Sequence, residues 1–316
     1  MTSIGNIIEM SNSIKLAIYI FILFCQAICA LLNGFIIYLF IRRKELRQNK
    51  SLRLIVFLSL GDFLLAVGGL PYVIYVTINW NPIQLDYDPW LMMLLPQPLP
   101  LQLKVSAIIT VGIALGRCIA LFSPSLYRRM DQGDYSISVI LLSIFFAIFD
   151  DFLYWCSTKL EHHPDCGGVG CFVGEQFLNY WGLSNMVFGL MTVFLSALIF
   201  LKLRVVTKQK GSLNSQQGQN KYTKAHRTST GILMSSLLFL TLPSVCVGIV
   251  ELTGFSVFKL IGAFYLACLL ISGCCNASIF IWSNWDAVRP KQVLSSILVQ
   301  KASAGLSVIP TGPSYH

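Results

Sequence analysis

Charge is what this chain has least of. Of its 316 residues only 12% are Asp, Glu, Lys or Arg, 55% are hydrophobic, and the mean hydropathy is +0.68. A soluble globular domain carries about twice that share of charge, so a water-soluble enzyme is excluded. Histidine is scarce too: His162, His163, His226 and His316 all lie outside the apolar runs. No run therefore offers an imidazole to a catalytic metal, which argues against a membrane hydrolase. Basic residues interleaved with aromatics are missing, so the net charge of +9 does not point to nucleic acid. An internal repeat is missing as well, which weighs against transporters built from duplicated halves.

What the chain has is length in its apolar runs. Leu16 to Ile41 holds 26 residues without a charge, where about 20 suffice to cross the hydrocarbon layer. Six more runs follow at about 54–76, 98–121, 137–154, 181–201, 231–250 and 260–282. They are twice the length of a barrel strand and apolar on every side, so they read as helices. The expected fold is all-α, a seven-transmembrane helix bundle over 16–284 between an N-terminal segment, 1–15, and a tail, 285–316. The first run is too long for a signal-peptide core and lacks a basic stretch before it, so no cleavage is expected.

The basic residues orient the bundle. Eighteen Lys and Arg fall in the loops and tail on one side, and three, Lys15, Lys159 and Lys259, on the other. Basic loops stay in the cytoplasm, so the N-terminus is outside and the C-terminus cytoplasmic. The Ser/Gln/Asn-rich stretch 211–220 reads as a mobile inner loop.

The polar residues within the runs carry a family signature. Gly116-Arg117-Cys118 followed by Pro124 and Tyr127 resembles the end of the third helix and second inner loop of rhodopsin-like G-protein-coupled receptors, where Asp-Arg-Tyr precedes a Pro at this spacing. Asn33-Gly34, Leu58-Ser59-Leu60-Gly61-Asp62, Pro71, Pro243 and Asn276-Ala277-Ser278-Ile279-Phe280 match in the first, second, sixth and seventh helices. The stretch 164–171, Tyr180-Trp181, Asn185-Met186, Lys202-Leu203 and 231–244 are similar to nematode serpentine chemoreceptors of the Srbc class, with Srsx next nearest.

That resemblance implies a chemosensory receptor in the plasma membrane, in a sensory cilium, that detects a small molecule or peptide and activates a heterotrimeric G protein; a dimer stays open. The alternative is a transporter or channel subunit. Arg117 and Pro124 take the family's coupling positions, with Arg128, Arg129, Lys224 and Arg227 as a basic inner rim that the positive-inside rule alone also explains. Matching the motifs puts Ser106, Ser272, Asn276 and Asn33 near Asp62, resembling the family's sodium-binding cluster. An equally open reading is a protonated Asp62 that hydrogen-bonds Asn33 and Asn276. No other cofactor is expected. Three departures stand out: Gly116 replaces the acid before the Arg, the third helix has no outer Cys, and Ala277 and Phe280 replace a Pro and a Tyr.

Lys104 lies 13 residues before Arg117, about 20 Å along a helix, in the outer half of the membrane. It either attracts an anionic ligand, in a pocket shared with Asp150, Asp151 and Glu251, or pairs structurally with Asp150, or snorkels to the surface. Three cysteines, Cys156, Cys166 and Cys171, lie outside. Cys166 with Cys171 is the favoured disulfide, because Gly-Gly-Val-Gly between them can turn tightly. His162-His163-X-X-Cys166 lacks a complete ligand set for a metal site.

Overall fold

The computed structural model describes residues 12–164, 166–210, 228, 230–251 and 263–285, without the side chains of 45, 51, 206–210 and 251. Seven helices in it are long and apolar enough to cross a membrane. They are α1 (Asn12–Arg42), α2 (Arg53–Ile78), α3 (Pro89–Phe122), α4 (Gln132–Ser157), α5 (Glu175–Val205), α6 (Thr230–Val250) and α7 (Phe264–Ser283). No strand occurs among the described residues. Residues up to Ser283 pack as one unit; the tail from Asn284 is a second, and apart from residues 284 and 285 it lies outside the described residues, as does the inner loop 211–227.

Helices α1, α3, α4 and α5 begin before their uncharged runs, where side chains at the headgroup level can be polar. The largest extension is in α3, whose first piece, Pro89–Leu94, starts with Pro at its first position and is capped by Asp88, which accepts the Leu91 N–H at 3.1 Å. A proline at that place gives up only an N–H that a helix start leaves unpaired. The chain then restarts at Pro98. Two other helices are shaped by proline. In α2 the helix is interrupted between Gly68 and Leu70, one residue before Pro71. In α6, Leu237–Thr241 winds as a π turn immediately before Leu242–Glu251. Pro243 cannot donate to the preceding turn and crowds it, and the wide turn relieves both conflicts. Ser244 donates its hydroxyl to the Leu240 carbonyl at 2.7 Å, one turn back on the same helix.

Helix α3 lies among α2, α4 and α5, while α1 packs on α2 and α7, and α6 on α5. The α3–α4 seam is close because two glycines stand one turn apart on α3. A Cβ on Gly112 would come within 2.5 Å of Val139 Cγ1, and one on Gly116 within 3.3 Å of Tyr135 Cε1. Small residues at this spacing let membrane helices approach.

The buried apolar side chains fall into an outer and an inner cluster. Polar residues separate them along α1, α2 and α7: Asn33 between Cys29 and Ile36, Asp62 between Leu65 and Leu58, Ser272 and Asn276 beyond Leu270. Helix α4 turns Phe145, Ile148 and Phe152 outward, each more than 60% exposed. Water would not tolerate such a face, but lipid does.

Candidate functional site

The outer end of the bundle contains a cavity with about 440 Å³ free of protein atoms, its open mouth included. Pro100 of α3, Tyr154 of α4, Phe177, Leu178 and Trp181 of α5 and Tyr265 of α7 form its walls. The rings are mutually ordered: Phe177 and Trp181 stack at 6.0 Å, Tyr154 meets Phe177 edge-on at 5.3 Å, and Trp181 lies 5.6 Å from Tyr265. The Tyr154 hydroxyl is turned away and donates to the Met93 carbonyl at 3.0 Å.

Val169 and Gly170 of the second outer loop close the cavity from above. Their turn sits in a ring closed by a Cys166–Cys171 disulfide, Cα atoms 6.4 Å apart, while Cys156 is free and exposed. The loop hangs on α1: Tyr19 donates to the Gly167 carbonyl at 2.8 Å, and its oxygen lies 3.1 Å from that of Tyr72. His162 lies 2.7 Å from Asp86, both exposed. With Cys166 in a disulfide, the His162-His163-X-X-Cys166 stretch has no thiolate to offer a metal. Beside this loop Tyr87 is buried with its hydroxyl on the Val76 carbonyl, and burial pushes its phenol up to about 12.

One helical turn below the cavity lies an ion pair. Lys104 Nζ is 3.1 Å from Asp150 Oδ2, and neither side chain is exposed at all. The ammonium also donates to Ser184 Oγ at 2.8 Å and lies over the rings of Phe188 and Tyr180, at 5.3 and 5.9 Å. Tyr180 completes the set by donating to Asp150 Oδ1 at 2.9 Å. Asp151 is only partly buried and makes no ion pair among the described residues. The side chain of Glu251 lies outside the described residues. Lys104 and Asp150 thus hold each other, joining α3, α4 and α5.

Asp62 is also fully enclosed, but by different neighbours. Its Oδ1 accepts from Gln102 Nε2 at 2.7 Å, and a Cβ on Gly61 would strike that carboxamide. Neither Asn33 nor Asn276 bonds to Asp62 among the described residues; Asn33 donates to the Cys29 and Gly273 carbonyls instead. Asp62 Oδ2, Ser272 Oγ, Asn276 Oδ1 and Asn33 Oδ1 are buried without a hydrogen-bond partner. Ser106, one turn beyond Gln102 on α3, is buried as well.

At the inner end, Arg117 lines a second, open cavity with Leu54, Ile113, Gly116, Tyr127 and Tyr135. Tyr135 donates to the Gly112 carbonyl at 2.6 Å, and its ring lies against Gly116. Pro124 opens a short helix, Pro124–Arg129, that presents Arg128 and Arg129 to the surroundings. Next to it Asp131 caps α4 through the Gly133 N–H and pairs with Lys50 at 2.9 Å. The Lys50 ammonium, with help from that N–H, holds the Asp131 carboxyl below the usual carboxylate range. Lys224 and Arg227 lie outside the described residues.

A family model described as serpentine type 7TM GPCR chemoreceptor Srbc matches residues 10–284. The chain belongs to this family of serpentine chemoreceptors. No curated protein matches it.

The geometry explains one departure from the rhodopsin-like pattern and supplies residues that the motifs do not contain. An acid before Arg117 would bring its Cβ to 3.3 Å from the ring of Tyr135, so that ring would have to give way. In this receptor the second outer loop is closed on itself rather than tied to α3. Gln102, Ser184 and Tyr135 escaped the sequence reading, and Tyr180 entered it only as part of a family motif. Gln102 had one visible signal, since an uncharged amide two residues from Lys104 would need a polar partner inside the span.

Proposed function

We propose that this multi-pass membrane receptor sits in the plasma membrane of a chemosensory cilium, takes a small molecule in its outer cavity, and activates a heterotrimeric G protein at the inner rim around Arg117. The observation that carries the reading is the course of α3. The same helix lines the outer cavity with Leu99 and Pro100 and the inner cavity with Gly116 and Arg117. A ligand that shifts α3 at one end acts directly on the surface at the other, as a population shift between two packings requires. Catalysis forms no part of this proposal. Lys104 and Asp150, charges inside the membrane of the kind a transporter would use, are occupied with each other.

The four unpartnered oxygens around Asp62 are donors of the kind a hard monovalent cation takes. In this proposal Asp62, Ser272, Asn276 and Asn33 hold a sodium ion, which supplies the positive charge that lets Asp62 stay ionised between the two apolar clusters. The competing arrangement is a protonated Asp62 held through Gln102 alone.

The test is a cell line expressing the receptor, exposed to odorants, short-chain acids and pheromone-like metabolites, with G-protein recruitment as readout. Agonist-driven recruitment is expected in the wild type. Arg117→Ala should reach the surface normally and lose recruitment by at least tenfold. Unchanged recruitment would remove Arg117 from the coupling face.

A further inference from the structure

The proposed function leaves the chemistry of the ligand open, and the inference here rests on that reading. We infer that the outer cavity selects a compact, uncharged, largely apolar molecule carrying a ring, and rejects carboxylates and amines of the same skeleton.

Charge exclusion follows from the floor. Counting one turn inward from three wall residues, Pro100 leads to Lys104, Tyr154 to Asp150 and Trp181 to Ser184, and Lys104 is bonded to the other two. The ammonium has a carboxylate, a hydroxyl and two ring faces as neighbours, and the carboxylate has the ammonium and the Tyr180 hydroxyl. An anionic ligand would have to displace Asp150 from a site without exposure to water, leaving that carboxylate buried and unpaired. A cationic one would have to displace Lys104. Either exchange costs more than the new pair returns, because removing one partner of a buried pair strands the other. Among the described residues no Asp, Glu, Lys or Arg lines the cavity itself. A ligand charge brought there would lose its hydration without replacement.

Ring selection follows from the walls. Tyr154, Phe177, Trp181 and Tyr265 bring aromatic faces and edges from α4, α5 and α7 around one space. A planar guest gains offset or edge-on contacts with several of them at once. The narrow space between these walls sets the compactness. The turn that closes the cavity, Val169 with Gly170, adds only an apolar side chain and backbone.

The experiment uses full-length receptor in nanodiscs and two probe pairs, benzaldehyde with benzoate and cyclohexanone with cyclohexanecarboxylate. Binding is read by saturation-transfer NMR, and G-protein recruitment is read separately in cells. The neutral member of each pair should bind at least tenfold more tightly than its carboxylate. Leu178→Trp, which fills the cavity, should abolish that binding; if this variant fails to reach the membrane, Val173→Phe fills it from the loop side. Carboxylates that bind as well as the neutral partners overturn the inference, as does neutral binding that survives filling or is missing in the wild type. Neutral binding that is lost on filling, with no recruitment by any compound, would uphold the ligand class and defeat the signalling proposal instead.

Discussion

The ring of Tyr135 lies where the side chain of residue 116 would project, and Gly116 is the reason it can. With its hydroxyl on the Gly112 carbonyl at 2.6 Å, Tyr135 ties α4 to α3 one turn from Arg117. In this receptor a phenol and a backbone carbonyl stand at the boundary where an acid and an arginine meet in the rhodopsin-like pattern.

Restoring the acid should therefore damage the receptor. Gly116→Asp is expected to lower the surface level, and Gly116→Asp with Tyr135→Ala to recover part of it, by flow cytometry of tagged receptor. Gly112→Ala should cost about 1–3 kcal/mol, more than Gly116→Ala, because the Cβ meets the stiff, branched Val139 rather than a ring that can swing. Equal unfolding temperatures for the two alanine variants would contradict the seam.

The Lys104–Asp150 pair should behave as one unit. Lys104→Met or Asp150→Leu alone is expected to lose about 3–5 kcal/mol, since each leaves a buried charge behind. The double variant should regain most of the loss. Thermal unfolding of the four proteins gives the coupling energy, and additive losses would show that the two residues act separately.

Sodium should raise the unfolding temperature relative to choline in the wild type, and Asp62→Asn should erase the difference while keeping the receptor folded, because the amide avoids buried charge. Equal sodium sensitivity in both proteins would leave Asp62 with Gln102 alone.

Replacing Cys166 and Cys171 by serine opens a short ring, with an expected cost of about 2 kcal/mol on the chain-entropy account. Peptide mapping without reduction should return a Cys166–Cys171 pair and an alkylated Cys156. A peptide linking Cys156 to either partner would show another pairing.

The Lys50–Asp131 contact makes a pH prediction. Asp131 has a lowered value when folded, so its contribution is present above the ordinary aspartate value of about 3.9 and is lost as pH falls through the lower, folded one. The difference in stability between wild type and Asp131→Asn should stay constant from pH 7.5 to about 5 and close only below about 4.

The spans were readable because uncharged runs of such length have no other use, and Lys104, Asp150 and Asp62 were readable because a charge inside such a run demands a partner. The partners were harder. Gln102 and Ser184 barely alter hydropathy, Tyr135 lies just before a span, and Tyr180 stood out only as part of a family motif. The short helix Pro89–Leu94 was hidden too, since six residues ahead of three prolines show no period. Motif matching placed Asn33 and Asn276 near Asp62 but could not reveal that Asn33 spends its amide on backbone, which depends on how α1 and α7 rotate.

The π turn of α6 makes that helix one residue longer than its path needs. Tightening Leu237–Thr241 to α geometry would turn everything on one side by about 100° and advance it by about 1.5 Å against the other. A second register of this helix would thus need a rotation and an advance together, and it would return the crowding that Pro243 imposes on the turn before it.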